Sequence, residues 1–148
     1  MLRFRMDKIG ILQFAILQSE CIPQDYYLNT TLSFKTDQES QHAACIAKFE
    51  FRGKENELLL IIEVQCEFII HPDDWKLLNK NEETVVIPKE ILELFAVQTI
   101  GSTRGILFTK TEGTPYNMGN YILPPVNVHE IMQSEPEQIP EEIFNNKD

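Results

Sequence analysis

Apolar and polar residues alternate along four stretches in the first half of the chain. Residues 9–17, IGILQFAIL, are rich in strand formers. In YYLNTTLSFKT, residues 26–36, the side chains of Leu28, Thr30, Leu32 and Phe34 share one face of an extended chain. In AACIAKFEFR, residues 43–52, Ala43, Cys45, Ala47, Phe49 and Phe51 point one way, and Lys48, Glu50 and Arg52 point the other. The connector GKEN at 53–56 has the composition of a hairpin turn. The strongest pattern is ELLLIIEVQCEFII, residues 57–70. Its even positions are apolar throughout, from Leu58 to Ile70, while its odd positions mix Leu59, Ile61 and Ile69 with Glu57, Glu63, Gln65 and Glu67. One face belongs to a core. The other is expected to be partly covered or to receive a partner, because a merely solvated face has no use for aliphatics.

The period changes in the second half. HPDDWKLLNKN, residues 71–81, suits a short helix entered through Pro72 with acids in its first turn. Residues 88–111 suit a long helix with Pro88 at its first turn. Its apolar residues spread widely around the cylinder, as in a helix packed on more than one side. Gly101 and Gly105 lie on one face of it. Each costs up to about 1 kcal/mol relative to alanine. Either the helix breaks near Gly101, or the pair forms a smooth strip that lets another helix or sheet come close. Residues 111–121, TEGTPYNMGNY, read as a loop carrying Tyr116, Met118 and Tyr121. Next comes ILPPVNVHEI. Pro124 and Pro125 can neither extend a helix nor donate to a sheet ladder, so they enforce an extended crossing. Asn127, with Glu130 three residues later, then caps a short helix. The folded domain is expected to span 1–133, and the acidic stretch 134–148 reads as a disordered tail.

The chain has 148 residues, enough for one domain and one core. A net charge of −10 lacks the basic footprint that nucleic acid requires. Cys21, Cys45 and Cys66 are odd in number and lack metal spacing, which points to free thiols in a reducing compartment. No cleavable leader and no stretch apolar enough to span a bilayer is read in the chain, so the expected location is the cytoplasm, without membrane insertion. His42, His71 and His129 are scattered, and GSTRG lacks the lysine of a phosphate loop. Ser19 and Cys21 have no base nearby in sequence, and Asp73 and Asp74 read as helix-start acids rather than catalysts. An enzyme, a metal and a cofactor are therefore not expected.

Three short motifs carry a family resemblance. IIEVQ at 61–65, inside a long final strand, is similar to the corresponding strand of the SecB family of protein-export chaperones. LPPVNV at 123–128, ahead of a short helix, resembles the segment that follows that family's long helix, and TRGILF at 103–108 lies where the long helix carries a comparable mixed run. The resemblance implies an α+β fold: a four-stranded antiparallel sheet with a long helix and a short C-terminal helix packed on one side. It implies an ATP-independent holdase that binds unfolded polypeptides or preproteins in apolar grooves, as a homo-oligomer of two or four subunits. Candidate groove residues are Phe68, Ile70, Trp75, Tyr116, Met118, Tyr121, Ile122 and Ile131. Packing of core and subunit interface is the competing reading for them. By motif, Ile61 and Glu63 occupy the face on which the family docks the SecA motor. Two alternatives stand beside this reading. One is a dedicated adaptor for a single partner such as an antitoxin; the other is a small-ligand binder of the same fold.

Overall fold

The first strand begins earlier than the densest apolar run suggests. The computed structural model describes residues 1–18, 25–81, 84–117 and 123–134, and in it β1 spans Phe4–Ile16. It is followed by β2 (Tyr26–Asp37), β3 (His42–Gly53) and β4 (Leu58–Ile70), which form an antiparallel sheet in the order β1-β4-β3-β2. The extra residues of β1 are a second period-two stretch: Phe4 and Met6 face the same way as Phe68 and Ile70, their partners on β4. Two register shifts, between Met6 and Lys8 and between Ile11 and Gln13, absorb the places where strict alternation fails. They keep Phe4, Met6, Ile9, Ile11, Phe14 and Ile16 opposite the apolar even positions of β4. The turn at 53–56 forms as the sequence suggests. Asn56 takes a φ of 65°, and its amide donates to the Gly53 carbonyl at 3.0 Å.

The helical layer lies on the even face of β4. Helix α1 (Pro72–Leu78) stops short of the expected residue 81, because Asn79 turns extended and the chain pairs back as β5 (Asn79–Asn81) with β6 (Thr84–Val85). Helix α2 (Lys89–Lys110) then runs unbroken through Gly101 and packs on β3 and β4. Its ring at Phe95 stacks on Phe68 with centroids 4.1 Å apart, and Phe4 meets Phe95 edge-on at 4.9 Å. Thr99 and Thr103 are fully buried, yet their hydroxyls donate to the carbonyls of Phe95 and Thr99 at 2.7 Å, so no polar atom is left unsatisfied. A 3₁₀ turn (Pro115–Asn117) follows, and Asn117 Nδ2 closes the end of α2 by donating to the Phe108 carbonyl at 2.8 Å. The short helix α3 (Val128–Ser134) packs beside α2, with Val128 and Met132 in the core. This is the four-stranded sheet with a long and a short helix that the α+β reading anticipates. Most of the expected tail lies outside the described residues.

One sequence reading is corrected. Helix α2 is long and apolar enough, by length and composition, to cross a membrane. In the fold, 44% of its most apolar stretch is buried against the rest of the protein.

Asp74 does more than complement a helix start. Its carboxylate accepts the Arg3 amide at 2.8 Å and the Arg3 guanidinium at 3.0 and 3.2 Å, tying the residue just before β1 to α1. These bonds hold the Asp74 carboxyl well below its ordinary range, at about 2. A depressed folded-state value means stability that is whole above the unfolded carboxyl range and lost as pH falls through about 2. Asp74→Ala is therefore expected to lower the thermal midpoint at pH 7 by more than Asp73→Ala does. The gap between Asp74→Ala and the parent is expected to narrow as pH approaches 2. Thermal melts of the three proteins across pH check both statements. A gap of equal size at neutral and acid pH refutes the charge-assisted tie.

Candidate polypeptide-binding surface

The outer face of the sheet, away from the helices, carries the odd positions of β4. Ile61 is buried there at 5% exposure, and Glu63, Gln65 and Glu67 are half-covered; Leu59 falls at a register shift between β3 and β4 and joins the core cluster. Register accounts for the mixture. Lys48 on β3 stands opposite Glu63, Lys8 on β1 stands opposite Glu67, and Glu50, opposite Ile61, is held by Arg52 at 2.9 Å. Acids on the central strand thus meet bases on its neighbours. The odd positions from Ile61 to Glu67 thus lie in register with opposite charges beside one covered aliphatic, and Ile61 and Glu63 sit within that row.

The helical side holds the crossing segment. Arg104 on α2 donates from Nε to the Leu123 carbonyl at 2.9 Å and from Nη2 to the Pro124 carbonyl at 3.0 Å. The prolines are compatible with this clamp because it uses only carbonyls, which proline retains. Asn127 Oδ1 then accepts the Glu130 amide at 3.1 Å, the cap anticipated from the sequence. His129 Nδ1 lies 2.8 Å from the Glu93 carboxylate of α2. The two prolines therefore direct the chain along one flank of α2 and deliver α3 to it. Val126 and Ile131 stay half-buried on this strap, packed against the core from its rim.

The candidate groove residues fall into three groups. Phe68, Ile70, Trp75 and Tyr116 lie inside, all at 2% exposure or less. Phe68 is locked in the ring stack, and the Tyr116 hydroxyl donates to the Gln18 carbonyl near the end of β1. These four build the floor and frame of the helical side rather than its surface. Ile131 sits at the rim. Met118, Tyr121 and Ile122 lie outside the described residues. Arg104 went unnoticed in the sequence. Its partners are backbone carbonyls, which leave no trace in composition.

The opposite flank of α2 is open. A groove of about 440 Å³ runs between β1 and α2, lined by Ile9 and Ile11 on one side and Gly101, Ser102, Gly105 and Ile106 on the other. Ile9 and Ile11 point toward the helix layer yet stay 50% and 44% exposed, because α2 presents glycine where a larger residue would cover them. Nothing lies within 4 Å of where a Cβ would stand at either glycine.

Cys45 and Cys66 face each other across β3 and β4, fully buried, and burial pushes the Cys45 thiol up to about 12, so it stays neutral. Among the described residues, no group of three His, Cys, Asp or Glu side chains is placed to hold a metal ion.

No family model matches the sequence, and no curated protein matches it. Solved structures do resemble the fold. One is the Mycobacterium tuberculosis SecB-like chaperone Rv1957, in complex with a ChAD peptide from the Rv1956 HigA1 antitoxin, with a TM-score of 0.50 and 15% identity over 84% of this chain and 85% of that one. Another is a protein of unknown function from Streptococcus agalactiae, with a TM-score of 0.41 and 12% identity over 76% of this chain and 90% of that one. At 15% identity the likeness to the chaperone is one of architecture, and in architecture this chain is SecB-like.

Proposed function

We propose that the protein is an ATP-independent holdase that keeps non-native polypeptides from aggregating and works in the cytoplasm as a homo-oligomer. The observation that carries this reading is the fold shared with a SecB-like chaperone captured with a bound peptide. The apolar rim of the strap supports it, since Val126 and Ile131 offer side-chain surface next to a backbone that makes few regular hydrogen bonds of its own. Met118, Tyr121 and Ile122 are further guest-contacting residues in this proposal; adaptable apolar and aromatic side chains accept many guest sequences. The buried Phe68, Ile70, Trp75 and Tyr116 act as the floor that holds the rim in place.

The test is dilution of a chemically unfolded client into buffer with the protein present, followed by light scattering. Suppression of scattering that ATP does not change is the expected result. Val126→Glu with Ile131→Glu is expected to remove most of it, with the circular dichroism spectrum retained, because two charges would have to be desolvated under each guest. A protein that leaves client aggregation unaltered overturns the proposal.

A second reading is a dedicated adaptor for one partner such as an antitoxin. It is favoured by the neighbour's bound peptide, which comes from an antitoxin. Copurification from the native host separates the two: one dominant partner identifies the adaptor, and many partners identify the general holdase. The same preparation would reveal a motor such as SecA among the partners.

A further inference from the structure

The groove between β1 and α2 has an apolar end and a polar end. Ser102, Gly105, Ile106 and Thr109 fall three and four residues apart, so they form one stripe of α2 beside Ile9 and Ile11. From Gly101 to Lys110 this stripe runs about 14 Å along the helix axis. At the Gly101 end the lining is bare backbone and isoleucine, and the Ser102 hydroxyl is engaged with the Cys66 thiol beneath it. At the other end stand Thr109 and Lys110, both exposed. Thr99 and Thr103 spend their hydroxyls on the carbonyls four residues back. Among the described residues no such bond engages Thr109, and no ion pair engages Lys110. Neither helical glycine takes a positive φ, and neither is pressed by a neighbour. What their missing side chains provide is the space over Ile9 and Ile11.

We infer that this groove binds a free medium-chain fatty acid, with its alkyl chain over Ile9, Ile11 and the two glycines and its carboxylate at Lys110 and Thr109. The inference is independent of the holdase reading, whose guests use the strap on the opposite flank of α2. Three features select this occupant. First, about 440 Å³ lies within the range of small-molecule sites, and an apolar wall with a few polar groups to one side is their common makeup. Second, an alkyl chain brings no polar group into contact with the wall. A peptide brings an amide N–H and a carbonyl at every residue, and this lining meets them with one engaged hydroxyl and one free one. Third, the charge fits a monoanion. One ammonium matches one carboxylate, and the Thr109 hydroxyl donates to its second oxygen. The net charge of −10 works against any ligand with more than one negative charge.

Calorimetric titration of the full-length protein with dodecanoate, kept below its micelle concentration, tests the inference. One saturable site per chain is expected. Octanoate is expected to bind roughly tenfold more weakly, because four fewer methylenes are covered in a partly open groove. Lys110→Gln is expected to weaken dodecanoate by about three- to fivefold, the effect of one exposed ion pair, and to leave dodecanol unchanged. Gly105→Leu fills the groove, meets nothing else in the chain and suits a helix, so it is expected to abolish binding of both. A parent that takes up no dodecanoate overturns the inference. Dodecanoate binding that survives Gly105→Leu overturns it too; loss of client protection or of self-association in that variant then gives the groove to a peptide or to a second copy. A Lys110→Gln effect that is absent, or equal for acid and alcohol, overturns the carboxylate's place. Binding that Gly105→Leu removes, and that Lys110→Gln weakens for the acid alone, supports the inference whether or not the protein protects clients.

Discussion

Phe95→Ala is expected to cost about 3–5 kcal/mol, the range for deleting a fully buried aromatic ring. Phe95 has no exposed surface and stands between Phe68, stacked at 4.1 Å, and Phe4, edge-on at 4.9 Å. It thereby joins α2, the central strand and the edge strand in one contact. Its loss removes the transfer energy of the ring, leaves a cavity that a sheet on one side and a helix on the other close poorly, and breaks aromatic pairs worth about 0.5–1.5 kcal/mol beyond their area. Domains of this size have about 5–15 kcal/mol in total, so the variant falls near the limit of folding. Urea denaturation checks it: the midpoint falls while the slope is unchanged. A loss below about 1 kcal/mol contradicts the stacked arrangement, because no relaxation recovers that much of a buried ring.

Met132→Ala is expected to undock α3 and leave the rest folded. The helix has seven residues, far below the length at which a helix holds by itself in water, so its structure depends on docking. Met132 is its fully buried anchor, and a buried methionine reduced to alanine costs about 2–5 kcal/mol. What remains includes Val128, the half-buried Ile131, the Asn127 cap and the His129 contact with Glu93. Those suffice for partial occupancy only. Amide exchange is the measurement. Protection at 128–134 is expected to collapse toward that of an open chain, and protection along β4 to stay. If the strap forms the rim for guests, client protection falls in step with that local opening. Equal loss of protection in β4 and α3 means that the strap and the body unfold together, and refutes the separate dock.

Most of the fold was legible because binary patterning and turn chemistry act locally. Alternation over 26–36, 43–52 and 57–70 marked three strands, GKEN marked their hairpin, and Asn127 with Glu130 marked the last helix. The reading of β1 started too late because charges at Arg5, Asp7 and Lys8 hide the inward period of Phe4 and Met6, and two register shifts interrupt it. The end of α1 was read too far because Asn79 can leave a helix or stay in it, and only pairing with Val85 decides. Of the surface, the open glycines were visible in the sequence as an oddity of α2. Their groove with Ile9 and Ile11 was not, since those residues lie some ninety positions away.

What the sequence determined by itself was each element's period, its inward face and its caps, since these depend on neighbours within a few positions. Only the tertiary structure decided which strands lie side by side, and that choice set the acids of β4 opposite lysines on β1 and β3. It also decided that Arg104 spends its guanidinium on two distant carbonyls, and that one side of α2 is left bare. The physical reason is common to all of these. Register and long-range hydrogen bonds are properties of pairs of segments, and a single segment holds no record of its partner.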